Sequence, residues 1–99
     1  MKIIKKYVDQ IKEEVEDAKE YAESYVECKA KGNMQKAARY NEMANDELKH
    51  AMYAHEWAVK EIEEISKVYT APEEMMEAWK KAHREYVEQV AWIKKMLEM

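Results

Sequence analysis

Glu47 and His50 stand three residues apart in the run Glu47-Leu48-Lys49-His50. On a helix that interval sets a carboxylate and an imidazole side by side on one face, which is how bundle cores present mixed oxygen and nitrogen donors to iron or manganese. Both residues interrupt an apolar surface: Glu47 is flanked by Tyr40, Met43, Ala44, Ala51 and Ala54, and His50 by Met43 and Trp57. Glu14 does the same earlier in the chain, with Tyr7, Ile11, Ala18 and Tyr21 as its helical neighbours. A carboxylate buried without a partner costs on the order of several kcal/mol, so each of these groups calls for a hydrogen-bonding neighbour or a cation. His55 and His83 also fall on inward stripes. For them a neighbour that accepts or donates one hydrogen bond is sufficient, and core histidines sharing a polar layer are preferred to a second metal site.

The elements that must position these groups are helices. Two places break the helical pattern: Lys31-Gly32-Asn33, where Gly suits a left-handed helix cap, and Thr70-Ala71-Pro72-Glu73, which has the spacing of a capping box with Pro in the first turn. Helices are therefore expected near 2–31, 34–69 and 72–98, the shortest spanning roughly 40 Å at about 1.5 Å per residue. Helix 1 carries Ile4, Tyr7, Val8, Ile11, Val15, Ala18, Tyr21, Ala22 and Tyr25 at steps of three and four. Helix 2 carries two adjoining stripes, Ala44, Leu48, Ala51, His55, Ala58, Ile62, Ile65 and Tyr40, Met43, Glu47, His50, Ala54, Trp57, and is expected to be the central element. Helix 3 follows with Met76, Trp79, His83, Tyr86, Val90, Ile93 and Leu97. Equal helical rise in an antiparallel hairpin turning at Gly32 pairs residue k with about 65 − k, which sets His50 level with Val15 and one residue from Glu14. The second turn pairs k with about 142 − k. This sets His55 level with Val87, one turn from His83, and Trp92 and Lys95 beside His50 and Glu47.

Composition narrows the function classes. The 99 residues hold one Gly and one Pro, too few for the turns of a β-sandwich or a phosphate-cradling loop, so a single all-α domain over 1–99 is expected. Seventeen basic against 21 acidic residues leave a net charge of −4 with no Lys/Arg block, which argues against nucleic acid as a partner. No stretch is long and apolar enough for a membrane span or a signal sequence, and the chain reads as cytoplasmic. The single cysteine, Cys28, lies on an apolar stripe near Tyr21 and Tyr25 and reads as a packing residue. Trp57, Trp79 and Trp92 read as core or interface anchors.

Glu14 followed by Tyr21 seven residues on, then Glu47-Leu48-Lys49-His50 on the next helix, resembles the first half of a ferritin-like di-iron carboxylate protein over roughly residues 10 to 60. The resemblance implies Glu14 as the first-helix ligand, Glu47 as a bridging carboxylate, His50 as a terminal imidazole and Tyr21 as the aromatic beside the site. A complete subunit of that family repeats the set on a second helix pair, whereas helix 3 here holds His83, Glu85 and Glu88 with no Glu-x-x-His. The pattern is half present, and a two-fold homodimer or higher homo-oligomer would supply the other half. In this the chain is similar to encapsulated ferritins, from which it departs by carrying Glu98-Met99 in helical pattern instead of a flexible tail, and to small ferritin-like chains of bacterial and prophage genomes. The implied function is binding of two iron ions, or manganese, per dimer, with ferroxidase-type chemistry if the site is redox-active. The alternative is a non-enzymatic helical assembly protein, of phage origin, in which the same Glu and His residues form a structural polar network.

Overall fold

The computed structural model describes residues 2–68 and 70–99. They form three helices: α1 (Lys2–Ala30), α2 (Met34–Val68) and α3 (Glu73–Leu97). The fold is all-α, with no strand among the described residues. The expected end of the second helix at residue 69 lies outside them. The molecule measures 55 × 17 × 17 Å, its long dimension set by the 35 residues of α2.

The hairpin turn follows from two residues. Gly32 takes φ +80°, the left-handed conformation that a side chain resists. Its N–H bonds to the Lys29 carbonyl at 3.0 Å while the Asn33 N–H reaches Cys28 at 2.9 Å, the paired closure of a Schellman cap. Asn33 then opens α2, its Oδ1 accepting the Lys36 N–H at 3.2 Å. The start of α3 is less conventional. The capping box expected at Thr70 does not form; Pro72 occupies the N-cap with φ −56° and ψ 138°, and no side chain bonds to the first turn. A residue before proline is biased to extended backbone, so Ala71 keeps the helix from starting earlier. Glu73 and Glu74 in the first turn favour the helix N-terminus through its dipole instead. At the other end the helix stops at Leu97, so the helical pattern expected through Glu98-Met99 is not kept. Glu98 and Met99 close back on Lys95 and Met96 in three-residue turns.

The α1–α2 contact is an alanine seam. Ala37, Ala44, Ala51 and Ala58 recur every seven residues on α2, at most 2% exposed, and Ala51 and Ala58 share one core cluster with Ile11, Val15, Ala18 and Ala22 of α1. Small side chains at a seven-residue repeat let two helices approach closely along their length. Ring contacts fix the direction as antiparallel: Tyr7 meets Trp57 and Tyr21 meets Tyr40, each pair with centroids 6.3 Å apart. These pairs, with residue numbers adding to 64 and 61, reproduce the expected register closely. α3 attaches through larger residues, Trp79, Ile93 and Met96, so its backbone stands further off.

α1, not α2, is the helix approached closely by both others, which corrects the expectation that α2 is central. The cause lies in the second stripe of α2. Only Ala54 of that stripe is buried; Tyr40 and Glu47 are half-buried, and Met43, His50 and Trp57 are exposed. α3 covers the other side of the hairpin, where Val8, Ile11 and Val15 line a cleft with Ala78, Ala82 and Tyr86.

Candidate metal centre

Glu14 reaches the site from α1, and Glu47 and His50 reach it from α2, at the level where Ala18, Ala44, Ala51 and Ala54 bring the two backbones together. One donor atom from each of the three lies within 4.8 Å of the others. Glu47 Oε1 and His50 Nδ1 are 3.8 Å apart, beyond hydrogen-bond reach. Oε2 of Glu14 is buried with no hydrogen-bond partner, while its Oε1 accepts a long 3.5 Å bond from Gln10. Three polar groups have thus been drawn together without bonding to one another.

The electrostatics agree with that picture. Burial pushes the Glu47 carboxyl above its ordinary range of about 4.5; His50 opposes this, and Glu14, Asp17 and Asp46 add to it by charge repulsion. A cation is the species that would relieve a converging set of carboxylates of this kind. Donors held about 2.0–2.2 Å from one ion are at most about 4.4 Å from each other, so the observed cluster is close to a ligating arrangement. His50, more than half exposed, is the side chain free to close the difference. The donor chemistry, two carboxylates and one imidazole, suits iron or manganese.

α3 contributes no member to this group, and among the described residues no other cluster of three or more such side chains is assembled for a metal. Trp92 is 46% exposed. Tyr21 is half-buried two helical turns from Glu14 and stacks on Tyr40. Trp57 packs its ring against both Tyr7 and Tyr53 at 6.3 Å and is 49% exposed. The centre is consequently framed by one aromatic cluster toward each end of an uncovered face. Gln10 and Asp17 were not singled out from the sequence. Their positions, four residues before and three after Glu14, put them on its flank of α1 and were the available signal.

His55 and His83 do not join the centre. Their ring nitrogens meet each other, Nε2 to Nδ1, at 2.8 Å. His55 is half-buried as expected, but His83 is exposed, which corrects its expected inward position. The α3 backbone stands far enough from α2 that an imidazole on α3 spans the gap instead of filling it. Cys28 is a half-buried free thiol.

Among the described residues no helix is long and apolar enough to cross a membrane. Compared with protein-family models, curated proteins and solved structures, the chain matches none of them.

Proposed function

We propose that this chain is a ferritin-like half-bundle that binds iron, or manganese, between two copies of itself. The observation that carries the reading is the partnerless, buried Oε2 of Glu14, on a side chain that converges with Glu47 and His50 at an uncovered hairpin face. Iron and manganese take up to six donors, and three from one chain leave the set half filled. A two-fold partner doubles it to four carboxylates and two imidazoles, enough for two ions. The same contact would cover Met43, Tyr53 and Trp57, each 40–49% exposed.

In this reading Glu14 and Glu47 hold the ions and offset their charge, and His50 supplies the nitrogen donor. Gln10 orients Glu14, and the aromatic pairs around Tyr21 and Trp57 limit water at the two ends. Bound iron would supply one-electron chemistry with oxygen, so oxidation of Fe(II) is the activity to test. A structural polar network is less well supported, because such a network stabilises through hydrogen bonds that Glu14, Glu47 and His50 do not make to one another.

The test combines elemental analysis with mass by light scattering, then aerobic addition of Fe(II). About one metal per chain in a dimer, and uptake lost in Glu47→Ala, is the expected result. A metal-free protein that takes up no Fe(II) or Mn(II), with Glu47→Ala indistinguishable from the parent chain, would overturn the proposal.

A further inference from the structure

The contact between α2 and α3 has an unusual chemical make-up. Among the described residues, two hydrogen bonds join the two helices: a 3.5 Å bond from Asn41 to the Leu97 carbonyl near one end, and the imidazole pair His55–His83 further along. The pair is aligned head-on. Its ring centroids are 5.0 Å apart, about as far as a 2.8 Å nitrogen contact allows, so both nitrogens lie close to the line between the rings. That is the geometry of a shared proton, since two donors that chelate one ion converge on it at an angle. His55 is held in place by Tyr86, stacked on it with centroids 4.7 Å apart and planes 16° apart, and by Trp79 at 5.2 Å.

We propose that His55 and His83 form an acid-sensitive latch between α2 and α3, closed while at least one of the two rings is neutral and open when both are protonated. In the neutral pair one N–H donates to the bare nitrogen of the other ring. One added proton leaves that bond in place and makes it charge-assisted. A second proton removes the only acceptor and sets two imidazolium rings face to face, where charge repulsion adds to the lost bond. The groups that bear on His55 are few. Glu56 on α2 favours a charged His55 and Tyr86 on α3 stays a neutral phenol, while no charged group of α1 acts on His55.

Burial first, and His83 second, hold His55 below its ordinary value of 6.5. A base whose folded value is depressed is protonated more readily in the unfolded chain. Stability from the closed form is therefore complete above about 6.5 and declines as pH falls through that value toward the folded one. Opening leaves α3 held by its apolar contacts, Trp79, Ile93 and Met96 with Tyr86, Val90 and Leu97, and by the Asn41 bond near its end, so the helix loosens around His83 before the α1–α2 hairpin responds.

The chain has three histidines, which makes direct observation practical. Imidazole proton shifts followed by NMR from pH 8 to 4.5, with His50→Gln to assign the third ring, should show His55 and His83 titrating as a coupled pair in two separated steps. Hydrogen exchange, corrected for its intrinsic pH dependence, should accelerate at the amides of Ala82 to Val90 by about tenfold or more through the lower step, with no comparable change in α1. His83→Gln keeps a donor and an acceptor but cannot titrate; it should leave His55 with one step and reduce the acid acceleration of exchange in α3 to the smaller part that burial of His55 alone produces. Because His83 is exposed, that variant tests the latch without disturbing the core. Independent titration of both rings, or α3 protection that is the same at pH 7.5 and 5 in the parent chain, would overturn the proposal.

Discussion

Replacing Glu14 with Leu separates a ligand from a structural acid. Oε2 of Glu14 is buried with no partner, and the other oxygen has one long bond from Gln10. An unsatisfied buried acceptor costs about 1–3 kcal/mol, and the partly exposed remainder of the side chain moderates that figure. Leu fills similar space without the polar atoms and continues the stripe of Ile11, Val15 and Ala18. In chelator-treated protein Glu14→Leu should raise unfolding stability by about 1–2 kcal/mol, which for a chain of this size moves Tm up by about 5–10 °C. Urea titrations followed by circular dichroism, at one protomer concentration throughout, give the stability. The same variant should lose metal binding. A more stable chain that no longer binds metal is the signature of a residue kept for function at a cost in stability. If Glu14→Leu instead lowers metal-free stability, the carboxylate is satisfied in the apo chain and the case for a cation at this position fails.

Other substitutions probe the surrounding structure. Trp57→Ala removes the largest exposed anchor of the uncovered face and should weaken self-association by about tenfold or more in sedimentation velocity; an unchanged association constant would place the contact elsewhere. Gly32→Ala should cost about 1 kcal/mol or somewhat more, all of it conformational, because a Cβ there meets nothing within 4 Å while φ is +80°. Asn33→Ala, which removes the acceptor of the Lys36 N–H, should lose about 1 kcal/mol in the same urea assay. Ala51→Leu forces methylenes into a fully buried seam position and should destabilise by about 1–3 kcal/mol, more than Met52→Leu at the exposed neighbour, and no cost at Ala51 would contradict close α1–α2 packing.

Much of this fold could be read from residue order, because it rests on local rules. Gly32 alone can take the left-handed turn cheaply, and Asn33 carries the acceptor that restarts a helix, so the hairpin and its register were legible from two residues and the helical rise. From that register came the meeting of Glu14 with Glu47 and His50, since three positions on two stripes of known period have little freedom once the turn is placed. What periodicity could not decide was which apolar stripes find a cover. The second stripe of α2 has the helical period of a buried face, yet α3 packs on the opposite side of the hairpin and leaves Met43, Trp57 and the neighbouring Tyr53 in the open. That choice depends on how Trp79, Ile93 and Met96 fit against the side of the hairpin that carries Ile11 and Val15, a matter of shape between segments far apart in sequence. For the same reason His55 and His83 were both legible as stripe residues, while their head-on contact was not: it needs an interhelical gap that two imidazoles span end to end, and only the tertiary packing sets that distance.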